Sequence, residues 1–221
     1  MFCLEDYMQQ LITQMKPAFK HRLLYIGLQG SYLRKEATED SDIDIMVVID
    51  KLSIADLEVY KELLISLGNY EKSCGFICGK EELKNWAPIE ICQLLHTTKD
   101  YYGRLKELVP EYTRQDEILY VKTSIGNLYH ELCHRYVHST REVNKKKLPY
   151  TCKYIFFIMQ NIYYLESGVF VKTKQELLER LPEEEREVLQ TAMNLGNDEK
   201  YDFEHAFSLI FNWCGKVLLI Q

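Results

Sequence analysis

Hydrophobic positions in the first part of the chain alternate between helical and extended spacing. Apolar residues recur at every third or fourth position over residues 4–19, which predicts a helix. A second helix is predicted at residues 54–67, between the N-cap Ser53 and the C-cap Gly68. Short apolar runs that are typical of strands occupy residues 22–28, 42–49, 74–78 and 89–95, with a helical turn at 80–86. This alternation predicts a small mixed β-sheet that is flanked by helices.

The pattern changes near residue 100, beyond which we find no strand signal. Helical spacing covers residues 114–141, 150–166, 174–181 and 182–193, and Asp198 could cap a last helix. Residues 150–166 are apolar on almost every side, so we expect this helix at the centre of a bundle. The sequence predicts an α+β fold, with a mixed-sheet domain at residues 1–108 and an all-α bundle at residues 109–221.

Composition and charge narrow the classes of protein that the chain can represent. Its 221 residues are 47% hydrophobic and 27% charged, as in ordinary globular proteins, and the net charge of -6 argues against a nucleic-acid partner. Seven cysteines without a CxxC pair favour free thiols in a reducing cytoplasm. The first residues lack the basic segment of a signal peptide, and the longest apolar run, 154–159, is too short to span a membrane. We therefore expect a cytoplasmic protein without membrane association, and the sequence leaves room for an oligomer.

The strongest candidate chemistry lies between the first two predicted strands. Asp42 and Asp44 are two residues apart at the start of the second strand, so both side chains face the same side. Two neighbouring carboxylates repel each other unless a cation lies between them, and hard oxygen ligands suit Mg2+. Gly30 would let a phosphate approach the backbone closely, and Ser31 with the following amides would favour an anion. These features predict a site for a metal and a nucleotide.

The stretch of residues 30–44, with Gly-Ser at its start and Ser-Asp-Ile-Asp at its end, resembles the signature of the DNA polymerase β-type nucleotidyltransferase superfamily. A transferase domain followed by a helical bundle is similar to the adenylyltransferases that act on kanamycin or on streptomycin and spectinomycin. The resemblance implies a Mg2+-dependent enzyme that transfers a nucleoside monophosphate, normally AMP from ATP, to a hydroxyl of a small acceptor. An aminoglycoside is one such acceptor.

The resemblance also implies roles for individual residues of this stretch. Asp42 and Asp44 would bridge two Mg2+ ions, while Gly30 and Ser31 would hold the β- and γ-phosphates of ATP or another nucleoside triphosphate. The motif also contains Arg34 and Ser41, which we count among the nucleotide-binding residues. Arg34 could instead pair with a neighbouring acidic residue.

Enzymes of this superfamily usually add a third acid from a later strand. If residues 74–78 form the matching strand, it contains no carboxylate, and Gly75 occupies the expected place. If residues 89–95 form it, Glu90 supplies the third metal ligand. We favour Glu90, and the alternative is that it is an exposed residue at the start of a strand.

Further candidates lie in the helical half. The helix that carries Glu131 resembles the one with the catalytic glutamate in the kanamycin enzyme, so Glu131 is our candidate general base. Its alternative role is an ion pair with Arg135 one helical turn away. Lys172 and Lys174 lie where the antibiotic enzymes carry basic residues near the nucleotide, although such lysines are often only solvated.

Residues 130–134 also spell HExxH, the motif of many zinc proteases. The two histidines are correctly spaced on one helix. No third ligand stands out downstream, and the helix follows a transferase motif. We therefore rank a zinc enzyme well below a nucleotidyltransferase.

Two other functions stay open at the level of sequence. One is an antitoxin-like transferase that modifies a protein or RNA. The ribonuclease motif Arg-x4–6-His that often accompanies such systems is lacking, since His138 follows Arg135 too closely. The other is a non-catalytic sensor that binds nucleotide, which the uncertain third acid keeps open.

Overall fold

The computed structural model describes residues 2–195 and 200–220. The chain divides into two compact units, Met1–Tyr112 and Thr113–Gln221. The boundary that we predicted after residue 108 lies close to this division. The predicted α+β class is confirmed, with a small mixed sheet in the first unit and helices in the second.

Helices and strands alternate through the first unit. Its elements are α1 (Leu4–Phe19), β1 (Leu23–Leu28), α2 (Gly30–Arg34), β2 (Ile43–Ile49), α3 (Ile54–Leu67), β3 (Ser73–Gly79), α4 (Lys80–Lys84), α5 (Pro88–His96) and β4 (Lys99–Tyr102). The strand order is β3-β2-β1-β4. Strands β2 and β3 are parallel, whereas β1 is antiparallel to both β2 and β4.

The two central strands are buried on both faces. On one face, Ile26 and Val47 pack in a cluster with Leu11 of α1 and Tyr60 of α3. On the other face, Met46 and its neighbours pack against α4 and the segment after β4. Burial of both faces explains why the second half of β2 is apolar without alternation, as in the interior strands of sheets covered on both sides.

Two sequence-based assignments in the first unit are wrong. Residues 89–95 form most of helix α5 and not a strand, because Pro88 occupies the first helical turn and the buried pair Ile91 and Cys92 anchors one face of the helix. Strand β4 was not predicted at all. It is a four-residue edge strand of exposed and half-buried side chains, so it carries no hydrophobic alternation.

The second unit consists of helices and turns within the part of it that the structure describes. Its helices are α6 (Arg114–His138), α7 (Arg141–Cys152), α8 (Ile155–Ser167), α9 (Lys174–Arg180), α10 (Glu183–Asn194) and α11 (Phe203–Ile220). Ile155 and Met159 of α8 share a buried cluster with Ile125 of α6 and Ile210 of α11. The hydrophobic face of each helix is therefore covered by its neighbours.

The helix boundaries differ from the sequence prediction at two places. The predicted helix 114–141 ends at His138, and a separate helix α7 follows, whose N-cap Thr140 accepts a hydrogen bond from the amide of Val143 (3.4 Å). Helix α7 contains Pro149 and ends at Cys152, so the predicted helix 150–166 begins only at Ile155, the first residue of α8. The proposed cap Asp198 lies outside the described residues. Asp202 accepts a hydrogen bond from the amide of His205 in the first turn of α11 (3.2 Å).

Candidate active site

The candidate site lies where β1 ends and β2 begins. Gln29, the residue after β1, donates a backbone hydrogen bond to the carbonyl of Asp44 (2.8 Å). Gly30 follows with a positive φ of 70°, and a Cβ atom at this position would overlap the Oδ2 atom of Asp44. Only glycine combines this backbone angle with this close approach. The Gly30–Ser31 turn and the Asp44 carboxylate are therefore in direct contact.

Asp42 and Asp44 differ in their surroundings although they flank the same residue. Asp42 is exposed, whereas Asp44 is half-buried. Burial raises the pKa of Asp44 above its ordinary value and the negative charge of Asp42 raises it further, while a hydrogen bond from Cys74 and the charge of Arg34 act in the opposite direction. A cation bound to this pair would relieve both the burial cost and the repulsion.

Strand β3 brings Cys74, and no carboxylate, beside the aspartate pair. The parallel register places Cys74 opposite Asp44 and Gly75 opposite Ile45. The Cys74 thiol donates a hydrogen bond to the Asp44 carboxylate, and the pKa of the thiol is raised by burial and by Asp44. Gly75 has a φ of 103°, and a Cβ atom there would overlap the backbone of Ile45. The place where we looked for a third acid thus admits no side chain.

Sequence reasoning gave no individual role to Cys74. It is exposed and contacts Asp44. The pairing of β2 with β3 reveals this contact, and a strand pattern alone does not encode which residues lie opposite each other.

Glu90 is not part of this cluster. It lies in the first turn of α5, is exposed, and accepts a hydrogen bond from the indole of Trp86. Across residues 2–195 and 200–220, no group of three or more histidine, cysteine, aspartate or glutamate side chains is arranged to hold a metal ion. The strand that would have carried Glu90 to the aspartates is a helix, so the structural premise of this assignment is wrong.

Arg34 and Ser41 support the loop between β1 and β2. The Nε atom of Arg34 donates to the Oε2 atom of Glu36 (2.9 Å), while its charge also acts on Asp44. Ser41 accepts a hydrogen bond at its Oγ atom from the amide of Thr38 (2.8 Å). This turn immediately precedes Asp42, so Ser41 helps to set where β2 begins.

A family model described as a nucleotidyltransferase domain matches residues 9–211. The chain belongs to this family. The protein adenylyltransferase MntA of Thermococcus cleftensis is 38% identical over 73 residues, which are 30% of this chain and 73% of the relative. A putative protein adenylyltransferase of Methanocaldococcus jannaschii is 47% identical over 45 residues, 20% of this chain and 45% of the relative. The chain thus spans less than half the length of this second relative.

The fold of this nucleotidyltransferase also resembles a solved antibiotic-modifying enzyme. The crystal structure of an enterococcal spectinomycin adenyltransferase with ATP and spectinomycin matches with a TM-score of 0.58 and 16% identity. The match covers 97% of this chain and 99% of that enzyme. At this identity the likeness concerns the fold alone. The resemblance to nucleotidyltransferases with a helical second half is thereby confirmed.

In the second unit of this nucleotidyltransferase, Glu131 is engaged in structural contacts. It pairs with Arg135 one turn further along α6, and its Oε1 atom accepts a hydrogen bond from the hydroxyl of Thr151 on α7 (3.2 Å). The Arg135 side chain is only 13% exposed, and burial lowers its pKa. The ion pair with Arg135, which we named as the alternative role of Glu131, is therefore present. The role of Glu131 as a general base stays a prediction.

The two lysine candidates lie between α8 and α9. Lys172 is exposed in the connecting segment, and Lys174 is the first residue of α9. Their contact with a nucleotide stays a prediction. Among the described helices, none has the length and apolar character needed to cross a bilayer.

Proposed function

We propose that this nucleotidyltransferase transfers AMP from ATP to an acceptor hydroxyl at the junction of β1 and β2, with Mg2+ as cofactor. The observation that carries the proposal is the contact between the Gly30 backbone and the Asp44 carboxylate. This contact supports a site in which the turn would accept phosphate beside Asp44, with Asp42 two residues away as the second carboxylate. Phosphoryl groups are transferred with metal ions between such carboxylates and the phosphate oxygens.

The residues of the junction fit Mg2+ in their chemistry. Asp42 and Asp44 offer hard oxygen ligands, and the raised pKa of Asp44 reflects a carboxylate whose charge is not balanced by its protein surroundings. A bound metal would supply charge neutralisation at the phosphates and would activate the acceptor oxygen. Since β3 contributes a thiol and not a carboxylate, water and phosphate oxygens would complete the coordination.

The chain's own groups would bind and orient the nucleotide. Gly30 allows the phosphates close to the backbone, and the Ser31 hydroxyl with the adjacent amides would donate hydrogen bonds to them. Arg34 adds a positive charge that reaches this junction, as its effect on Asp44 indicates. Ser41 would act indirectly, because it holds the turn that positions Asp42.

For the acceptor, we propose a small hydroxylated molecule of the aminoglycoside or aminocyclitol class. Support comes from the shared fold of the whole chain with a spectinomycin adenyltransferase. A hydroxyl on a partner protein is the second candidate. Support for it comes from two relatives with local identities of 38% and 47%, a protein adenylyltransferase and a putative one.

The test uses ATP that is labelled at the α-phosphate, with Mg2+ and separate arms for each acceptor class. One arm contains a panel of aminoglycosides and aminocyclitols, and the other contains proteins of the host. Labelled small product supports the first proposal, and a labelled protein band supports the second. Calorimetry with ATP and Mg2+ identifies a sensor if binding occurs without transfer to either class. Absence of ATP binding would overturn the proposal.

The site variant combines Asp42→Asn with Asp44→Asn, and the matched control is Asp50→Asn. Asp50 follows the last residue of β2, at the other end of the strand, where it pairs with Arg22 (2.9 Å). Its substitution removes a carboxylate from the same strand but leaves the junction with β1 intact. We expect the double variant to lose transfer and Asp50→Asn to retain it.

A further inference from the structure

Three exposed histidines form a row along the last part of α6. His130, His134 and His138 follow one another at intervals of four residues, so they share one face of the helix. The imidazole centroids of His130 and His134 are 6.0 Å apart, and those of His134 and His138 are 4.9 Å apart. We call this row the histidine ladder. Neither the proposed transfer chemistry nor the family match assigns it a role.

The shorter spacing matches the geometry of two imidazoles that share one metal ion. At a nitrogen–metal distance of about 2.0–2.1 Å, two ligating rings have centroids about 4.5–5.2 Å apart. The pair His134–His138 already lies in this range, whereas the pair His130–His134 would need a change of rotamer. We propose that His134 and His138 chelate a divalent transition-metal ion, with His130 as the neighbouring alternative ligand.

The chemistry of the ladder selects the class of ion. Imidazole nitrogen suits Zn2+, Ni2+ and Cu2+, whereas Mg2+ prefers oxygen ligands. The described chain has no group of three or more metal-binding side chains, so water completes the coordination shell. The ladder therefore differs in ligand type from the aspartate pair at the start of β2, and the inference does not depend on the proposed transfer reaction.

The contacts of Glu131 separate this site from a zinc protease. In the HExxH motif the glutamate acts as general base on a metal-bound water. Here Glu131 pairs with Arg135 and accepts a hydrogen bond from Thr151 (3.2 Å). The carboxylate is thus committed to holding α6 against α7. The ladder is a binding site for a metal ion and not a hydrolytic centre.

A bound ion would also link the last two turns of α6. His138 is the final residue of this helix, where backbone hydrogen bonds open most readily. A ligand that binds the folded state alone stabilises it in proportion to its occupancy. We therefore expect slower hydrogen exchange at the end of α6 when the ion is present.

The test is calorimetric titration of untagged, full-length protein with Ni2+. An excess of Mg2+ occupies the carboxylates, and Cys3→Ser with Cys74→Ser removes the exposed thiols. Alanine replacements on α6 preserve the helix, because alanine is its best former. His134→Ala should weaken Ni2+ binding about a hundredfold, since it leaves neither chelating pair. His138→Ala should weaken it about tenfold and His130→Ala about twofold, because the preferred pair survives only in the latter.

His21→Ala is the matched control, since His21 is exposed and lies in the first unit. It should bind Ni2+ as the parent does. Hydrogen exchange at the end of α6 should slow with Ni2+ in the parent and in His130→Ala, but not in His134→Ala. Equal binding by His134→Ala and His21→Ala would overturn the proposal. An effect of His130→Ala as large as that of His138→Ala would overturn the assignment to the pair His134–His138.

Discussion

Two acidic positions of the molecule differ in how their charge is balanced. At the start of β2, the half-buried Asp44 lies beside the carboxylate of Asp42, and both its burial and this charge raise its pKa. The hydrogen bond that opposes this shift comes from a thiol, that of Cys74. On α6, Glu131 has a guanidinium partner in Arg135 and a hydroxyl donor in Thr151. The first arrangement destabilises the folded state, and the second stabilises it.

The difference is the basis on which we propose a functional role for Asp44 and a structural role for Glu131. A half-buried carboxylate beside a second carboxylate favours a ligand that supplies positive charge, which supports the role that we propose for Asp44. A carboxylate that completes an ion pair within α6 and accepts a hydrogen bond from α7 has a structural reason to be there. Substitutions that remove one charge at each position can separate these roles, because they should move activity and stability in opposite directions.

The largest expected effect is that of Asp44→Asn on nucleotidyl transfer. Loss of the carboxylate that we propose to bind Mg2+ should reduce transfer at least about 1,000-fold, which corresponds to about 4 kcal/mol of transition-state stabilisation. The free energy of unfolding should stay unchanged or rise, because a half-buried charge and its repulsion with Asp42 are removed. Transfer of label from ATP and urea unfolding measure the two quantities. A large loss of stability would show that Asp44 is structural.

Gly30→Ala tests whether the Gly30–Ser31 turn and the aspartate pair form one site. The added methyl group would overlap the Asp44 carboxylate and would impose a strained φ, so we expect a loss of about 2–3 kcal/mol in stability and about 100-fold in transfer. Gly68→Ala is the control, since φ there is 78° but a Cβ atom would meet nothing within 4 Å. It should lose stability and retain transfer. Equal transfer by both variants would contradict a joined site.

Sequence reasoning reached the junction of β1 and β2 because local patterns encode it. Gly30, Asp42 and Asp44 lie within one stretch, and alternation along a strand suffices to place both aspartates on the same side. The helices α1 and α3 were predicted with their observed ends, since α1 has a clear apolar stripe and α3 has a capping box.

The remaining features depend on contacts between distant segments. Ile89 and Ile91 alternate like strand residues, yet the same letters fit a helix that starts at Pro88, and short apolar runs do not distinguish the two. Strand β4 exists because β1 offers it an open edge. Cys74 lies opposite Asp44 because of the parallel register between β2 and β3, and no local pattern specifies that register.

Glu131→Gln should have the converse effect to Asp44→Asn. The substitution removes the partner of the poorly exposed Arg135, whose Nη1 atom is buried without a hydrogen-bond partner. We expect stability to fall by about 1–3 kcal/mol, since a buried charge loses its counter-charge, while transfer changes by less than about threefold. Unfolding in urea and label transfer at saturating substrate provide the comparison. Intact stability with a large loss of transfer would instead establish Glu131 as the general base.

The smallest effects concern two capping boxes, one in each unit. Asp56 of α3 accepts hydrogen bonds from Ser53 and from both terminal nitrogens of Arg22 (2.9 Å each), whereas Asp116 of α6 accepts hydrogen bonds from Thr113. Asp56→Ala should therefore cost about 2 kcal/mol, more than Asp116→Ala. Hydrogen exchange of α3 and α6 peptides reports each loss separately. Equal losses would show that Arg22 adds nothing to the cap.

Lowering the pH should also destabilise α3 more than α6, because hydrogen bonds hold the pKa of Asp56 and of Asp116 below the usual range. Arg22 is the largest cause at Asp56, and the hydroxyl of Thr113 is the largest at Asp116. A depressed pKa contributes stability that is complete above the unfolded-state pKa of about 3.9 and is lost as pH falls through the folded-state value. Between pH 5 and pH 3, about the range where this loss begins, α3 should lose exchange protection in the parent but less in Asp56→Ala. Because Arg22 keeps its charge throughout, a parent and a variant with the same acid dependence would mean that this ion pair is not formed in solution.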